Sequence, residues 1–184
     1  MNKYLRALID VPCGVLKMGI NKLLHGGDFQ GSLVCAVSPL SEISLDKGGK
    51  LTIGGSFRMR DGAKLRVRKG GVCVIGKNVS VNSNNMIACH ESVTIGDGVQ
   101  FSPNVQIYDH DHDYRAAGGV GEMKYKTTPV VIGNSCWIGA NTVILRGTEL
   151  GNDCVVGAGC VLKGKYPDGS IIVQKRETTV TQIK

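Results

Sequence analysis

"IGNSCWIGANTVILRGTELGNDCVVGAGCVL", residues 132–162, places an aliphatic residue at every sixth position. These positions are Ile132, Ile138, Ile144, Leu150, Val156 and Leu162. An α-helix needs apolar residues three and four apart and an ordinary strand needs them two apart, so a period of six fits neither. It fits a triangular solenoid, in which each six-residue unit forms one short strand and one corner, with the aliphatic side chain on the axis. We therefore predict an all-β fold, a parallel β-helix.

The same period is present upstream of residue 132. Ile75, Val81 and Ile87 hold one register, two residues intervene, and Ile95, Phe101 and Ile107 resume it, while a weaker version begins near Ile53. The residue four positions after each downstream aliphatic is slim: Cys136, Thr142, Thr148, Cys154 and Cys160. The repeat gives these cysteines no basic or polar setting, so we expect stacked core residues and not nucleophiles.

Length and composition limit the possible classes of protein. A chain of 184 residues suits one domain. The formal charge is +7, but the 22 Lys and Arg are scattered and aromatic residues make up only 5%, so we expect no nucleic-acid binding and favour attraction to a phosphate-bearing small molecule or an anionic surface. Seven cysteines without a CxxC pair indicate reduced thiols and a cytoplasmic protein.

The repeat suggests three segments. In residues 1–40, charges and a proline interrupt every apolar run before it could span a bilayer, so we predict a short, partly helical cap and leave peripheral contact with a membrane open. Residues 41–173 form the predicted β-helix domain, and residues 174–184 form a C-terminal tail.

The repeat breaks once within the predicted domain. Residues 109–129 read "DHDHDYRAAGGVGEMKYKTTP", a polar, glycine-bearing stretch without the six-residue register. A solenoid does not need such an insertion for stability, so a loop extruded beside His110 and His112 is a candidate functional site. The alternative is an exposed loop that its aspartates keep hydrated.

Together these motifs resemble the hexapeptide-repeat acyltransferases, and in particular their sugar O-acetyltransferase branch. The resemblance covers about residues 50–173 and includes "IGDGVQFSPNVQIYDHDH" (95–112), the extruded loop and "IGNSCWIG" (132–139) in matching order. It implies a left-handed β-helix, acetyl-CoA as the donor, a sugar or glycan acceptor, no metal, and a homotrimer with sites between subunits.

The resemblance also implies a catalytic histidine. It places the general base on His112, five residues after Ile107, with His110, Asp109 and Asp111 in supporting positions. An imidazole with a pKa of about 6.5 can take the proton of a sugar hydroxyl as that hydroxyl attacks a thioester, without an acyl-enzyme.

Further roles follow from the same resemblance. Acceptor binding falls on Asn82, Asn84 and His90, although asparagine is also common at solenoid corners. The candidate coenzyme-binding residues are Trp137, Gly139, Ala140, Gly157, Ala158, Lys175 and Arg176. Trp137 would line the pantetheine groove, the backbone near Gly139 or Ala140 would meet the oxyanion, and the basic pair would serve the phosphates.

Three functions of different classes remain open from sequence. The first is an acetyl-CoA-dependent O-acetyltransferase acting on a surface-polysaccharide or glycan precursor. The second is a zinc β-helix enzyme of the carbonic anhydrase type, with His90, His110 and His112 as ligands. The third is a binding solenoid without chemistry.

Overall fold

The computed structural model describes residues 3–175, 177 and 179–182, and its fold is a left-handed parallel β-helix of about six turns. Its strands stack in register into three faces. Face A contains β1 (Phe29–Gly31), β4 (Lys50–Ile53), β7 (Val72–Ile75), β10 (Ser92–Ile95), β15 (Val130–Ile132), β18 (Glu149–Leu150) and β21 (Lys165–Tyr166). Face B contains β2 (Cys35–Val37), β5 (Phe57–Met59), β8 (Ser80–Val81), β11 (Gln100–Phe101), β16 (Trp137–Ile138), β19 (Val155–Val156) and β22 (Ile171–Ile172). Face C contains β3 (Glu42–Leu45), β6 (Lys64–Val67), β9 (Met86–Cys89), β12 (Gln106–Tyr108), β17 (Val143–Ile144) and β20 (Val161–Leu162).

The core is the column of aliphatic side chains that the period of six predicts. All six positions of the downstream repeat are buried, with Ile138 and Ile144 fully enclosed, which confirms the predicted register. The slim residues between them are also buried, and burial raises the pKa of the Cys136 thiol to about 11. This cysteine is therefore a protonated core residue near neutral pH.

Coil length changes along the solenoid. Strand partners are 22 positions apart in the first coils (Phe29 with Leu51), 20 apart in the middle (Ile87 with Ile107) and 18 apart downstream (Trp137 with Val155). Four-residue strands on faces A and C account for the longer coils. Only the 18-residue coils are three strict hexapeptides. The β-helix begins at Phe29, because β1 already pairs with β4. This start lies upstream of the predicted boundary at residue 41, in a region where the repeat is weak.

A helix covers the open end of the first coil. Helix α1 (Lys3–His25) is followed by a short 3-10 turn (Gly26–Asp28), and a second such turn (Gly119–Glu122) lies in the extruded segment. Met18 of α1 is buried, and a Cβ on Gly14 would lie 2.9 Å from the Cys35 sulfur, so the helix packs closely against the coil. Within the residues described, no helix has the length and apolar character needed to cross a membrane.

Candidate active site

The extruded segment is a β-hairpin arm that leaves the solenoid between faces C and A. Strand β13 (His110–His112) pairs antiparallel with β14 (Tyr125–Thr127). The N–H of Thr128 donates to the carbonyl of Asp109 (2.9 Å), which closes the base of the arm. Arg146 of a later coil donates to Asp111 and to Thr128. These contacts fix the arm, and with it the histidines, relative to the solenoid.

Asp109 lies at the base of the arm and is completely buried. Its carboxylate accepts hydrogen bonds from the backbone N–H groups of His90, Glu91 and Ser92 at 2.7–2.9 Å. Burial alone would raise the pKa of Asp109, but the hydrogen bonds from His110 and from these N–H groups outweigh it, so the pKa is lowered. The site therefore contains a fixed, ionised carboxylate.

His110 is the histidine that this carboxylate orients. Its Nδ1 lies 3.1 Å from Oδ1 of Asp109, and its side chain is only 13% exposed. Its ring packs on His90 with centroids 3.7 Å apart and meets Tyr125 edge-on. Because Asp109 occupies Nδ1, Nε2 is the nitrogen that can exchange a proton with a substrate.

His90 stacks on His110 from the preceding coil. The two residues coincide because strand partners in these coils are 20 positions apart. Its pKa is lowered, first by burial and then by the neighbouring His110, against the opposing effect of Asp109. His90 is therefore a neutral imidazole near neutral pH, and it is also covered by Tyr125 at 4.4 Å between ring centroids.

His112 points into the same cavity from the arm but is exposed. Its ring centroid lies 4.8 Å from that of Tyr125, and no carboxylate is described as its partner. The cavity has a volume of about 550 Å³, and the three histidines share its walls with Arg66, Arg68, Lys69 and Tyr108 among others. The structure thus brings His90, His110 and His112 together around one cavity.

The predicted asparagines lie elsewhere. Asn84 occupies a corner with a φ of +59° and is exposed, and the Asn82 side chain accepts a hydrogen bond from the N–H of Ser83 (2.8 Å). Neither residue lines the histidine cavity. In one protomer both asparagines have the structural role of corner residues, which was the alternative in the sequence.

Trp137 lies on face B, away from the histidine cavity. Its side chain is 56% exposed, although its ring N–H donates to Ser102 (3.2 Å). Trp137 points away from the axis because it precedes the buried Ile138 by one position in the strand. A large exposed aromatic on a flat face is suited to a ligand or to another subunit.

The glycines beside Trp137 are required by coil stacking. A Cβ on Gly139 would lie 2.6 Å from the Ala158 nitrogen, and one on Gly157 would lie 2.7 Å from the Val173 side chain. The N–H of Gly139 already donates to the Val156 carbonyl (2.8 Å), so in one protomer it is not available to an oxyanion.

The remaining coenzyme candidates among the described residues lie at the surface. Ala140 is partly exposed, and Ala158 and Lys175 are exposed. Arg176 lies outside the described residues.

Sequence reasoning missed two residues that hold the site together. Tyr125 covers all three histidines, and Arg146 ties the arm to a later coil. No spacing signal identified them, because the turn of the arm, and not the repeat, brings Tyr125 back over the site. The 20-residue coil, in contrast, was a usable signal for the stacking of His90 on His110.

The zinc alternative requires three ligands directed at one point. Among the described residues, no group of three or more His, Cys, Asp or Glu side chains has an arrangement that could hold a metal ion. His90 and His110 instead stack ring on ring, with planes 31° apart.

Comparisons with known proteins agree with the architecture. Residues 129–164 match the bacterial transferase hexapeptide (six repeats) family model. The chain is 35% identical to WbbJ of Escherichia coli K12, named as an O-acetyl transferase of lipopolysaccharide biosynthesis, over 67% of each chain. It is 37% identical to the galactoside O-acetyltransferase of the same organism, over 50% of this chain and 45% of the relative. Apart from WbbJ, the chain thus spans about half the length of the curated relatives it matches.

Solved structures share the fold at low sequence identity. AntD, an N-acyltransferase from Bacillus cereus in complex with dTDP and 3-hydroxybutyryl-CoA, superposes with a TM-score of 0.66 at 19% identity, over 83% of this chain and 80% of AntD.

Proposed function

The chain belongs to the hexapeptide-repeat acyltransferase family, and from this premise we propose that it transfers the acetyl group of acetyl-CoA to a sugar hydroxyl. The acceptor we propose is a precursor of a surface polysaccharide or another glycan. Relatives named as sugar or lipopolysaccharide O-acetyltransferases support this class of reaction. The observation that carries the proposal is the pairing of His110 with the buried Asp109 in the wall of a cavity large enough for a sugar.

We assign the general base to His110. The spacing of the motif favours His112, but the contacts that a base needs are made by His110: a carboxylate on Nδ1, stacking of the ring on His90, and partial burial. His112, exposed on the arm, would contact the acceptor and close the cavity.

The proposed reaction needs no acyl-enzyme. As the sugar oxygen attacks the thioester carbonyl carbon, Nε2 of His110 takes the hydroxyl proton. The tetrahedral intermediate then collapses, the carbon–sulfur bond breaks, and the same imidazolium returns its proton to the departing coenzyme A sulfur. Asp109 stabilises the imidazolium, and a neutral His90 avoids a second positive charge 3.7 Å away.

The coenzyme site is proposed to form between subunits of a homotrimer. In one protomer Trp137 on face B and His110 at the edge of face C lie on different sides of the prism. Closed threefold symmetry would bring face B of one subunit against the histidine edge of the next. The backbone beside Ala140 and Ala158, with Lys175, would then contribute to coenzyme binding. We place this reaction in the cytoplasm, where acetyl-CoA is available and the seven free cysteines stay reduced.

The test combines calorimetry with acetyl-CoA and release of coenzyme A thiol in the presence of a set of sugar acceptors. Wild type should bind the donor and release thiol, and His110→Ala should bind the donor without releasing thiol. Absence of donor binding in the wild-type protein would reject the proposal.

A further inference from the structure

Helix α1 is oriented with its polar side toward the solenoid. Arg6 donates to Asp61 (2.8 Å), and Asp10, which is buried, accepts from Arg60 (3.1 Å). The ammonium of Lys17 donates to the carbonyls of Ser38, Pro39 and Ser41. These contacts hold the helix across the first coil through its charged residues.

The opposite side of α1 is apolar and exposed. Ten large hydrophobic residues of the helix are exposed: Tyr4, Leu5, Leu8, Ile9, Val11, Val15, Leu16, Ile20, Leu23 and Leu24. Leu8 is 73% exposed and Leu23 is 86% exposed. Lys22 of the same helix folds back to the carbonyls of Gly26 and Phe29. We call these ten residues the outer face of α1.

The outer face contradicts the usual design of a solenoid cap. A terminal cap normally buries its apolar side on the core and presents a polar side to water, because otherwise the end of the solenoid aggregates. Contiguous exposed apolar patches of more than a few hundred Å² mark interaction sites. A helix of 23 residues with this outer face is therefore built to be covered by something other than its own chain.

The distribution of charge identifies what covers it. Residues 1–70, the part of the sequence that includes α1 and the first coils, contain 12 Lys and Arg against 5 Asp and Glu, whereas residues 71–184 contain ten of each. The entire net charge of +7 therefore lies in the segment that carries the outer face. Two copies that met end to end through this surface would repel each other, while an anionic partner would be attracted.

We propose that the outer face of α1 docks on an anionic lipid bilayer. The leucines and isoleucines enter the boundary between headgroups and acyl chains, the helix lies in the plane of the membrane, and the net positive charge of residues 1–70 attracts the lipid phosphates. The polar contacts with Asp61, Arg60 and the Ser38–Ser41 turn keep the helix on the protein while its other side is in lipid.

Docking would place the Asp46 end of the histidine cavity nearer to the bilayer than its His110 end. Asp46 of the first coil and His110 both line that cavity, and they are three strand steps apart on face C. At about 4.8 Å for each step the separation along the axis is roughly 14 Å. A lipid-linked sugar would have to span this distance and the thickness of α1, about 10 Å, to reach His110. This consequence rests on the proposed function, whereas the docking itself does not.

The test is flotation of the full-length chain with vesicles, without any substrate. One set of vesicles contains phosphatidylcholine alone and the other contains equal parts of phosphatidylcholine and phosphatidylglycerol. We expect wild type to float with the anionic vesicles, to float at least tenfold less with the neutral ones, and to be partly released by salt. Wild type that stays in the bottom fraction with anionic vesicles overturns the proposal.

Variants separate the outer face from general basicity. Leu16→Glu and Leu23→Glu should lose flotation, and the matched control Ile171→Glu, whose exposure of 78% lies between theirs and which is at the other end of the solenoid, should retain it. Unchanged circular dichroism and thermal unfolding would show that the variants fold. Retained flotation of both helix variants contradicts docking. The proposal is also contradicted if wild type does not float and the helix variants form a smaller oligomer than wild type in sedimentation velocity. That result would assign the outer face to a second copy of the chain.

Discussion

The imidazole rings of His90 and His110 stack with their centroids 3.7 Å apart, although 20 residues separate them in sequence. The stack exists because the coil that joins them is two residues longer than three hexapeptides, so that Ile87 pairs with Ile107 and the two corners coincide. Asp109 locks this corner by accepting three backbone N–H groups of the preceding coil. One insertion in the repeat thus aligns an oriented histidine, its carboxylate and a neutral second histidine.

The first prediction separates the two histidines of the arm. His110→Ala should lower kcat by about 10²–10⁴-fold because the general base is lost, while His112→Ala should lower kcat by less than about tenfold and act mainly on the KM for the acceptor. Thiol release at saturating acetyl-CoA measures both. The reverse order would assign the base to His112, as the motif spacing suggests.

The second prediction concerns Asp109. Asp109→Asn should lower kcat by about 10²–10⁴-fold, because the amide cannot hold the correct tautomer of His110. It should also destabilise the fold by at least about 1–3 kcal/mol, since an amide cannot accept all the buried N–H donors. Kinetics and thermal unfolding measure the two effects, and Asp153→Asn is the control because Asp153 is exposed at a corner outside the arm.

The stability effect of Asp109 should depend on pH in a defined direction. Its pKa in the folded protein lies below the ordinary 3.8, so its contribution is present above pH 3.8 and is lost as the pH falls through the lowered value. The gap in Tm between wild type and Asp109→Asn should therefore close only in strong acid. A gap that closes near pH 6 would mean that another group is responsible.

The third prediction uses the lowered pKa of His90. Below the ordinary value of 6.5 the unfolded chain takes up a proton that folded His90 resists, so wild type should lose stability as the pH falls from 7 to 5. His90→Gln should show a shallower loss over the same range. Chemical denaturation at several pH values measures this slope, and identical slopes in the two proteins would argue against a buried neutral His90.

The fourth prediction tests coil stacking. Gly139→Ala should destabilise the protein by about 1–3 kcal/mol, because the new Cβ would lie 2.6 Å from the backbone of the next coil. Gly121→Ala is the matched control, since nothing lies within 4 Å of its Cβ position. Thermal unfolding compares the two. Equal Tm values would show that the coils can separate enough to accept the methyl group.

The fifth prediction concerns the sole tryptophan. Titration with coenzyme A should change the intrinsic fluorescence of Trp137, and Trp137→Ala should raise the KM for acetyl-CoA with a smaller change in kcat. Trp137→Phe should keep most of the affinity because an aromatic surface remains. Fluorescence that does not respond to coenzyme A at saturation would exclude Trp137 from the donor site.

The period of six by itself determined the core of this protein. A solenoid repeats the same local geometry, so each aliphatic at the sixth position, from Ile132 to Leu162, had to face the axis, and the slim cysteines had to stack between them. The repeat also located its own interruption at residues 109–129. The period is weak upstream of about residue 75, where four-residue strands such as Lys50–Ile53 and Lys64–Val67 lengthen the coil to 22 residues.

Tertiary structure decided which side chains meet. Two histidines two residues apart are equivalent in sequence, and only the packing of one coil on the next gave His110 the buried Asp109 and left His112 exposed. The orientation of α1 was decided in the same way, because its polar contacts with Asp61 and Arg60 are made with the following coil. Local periodicity fixes which face of a strand is buried, but partners depend on coil length and on the course of the arm, which are properties of the whole chain.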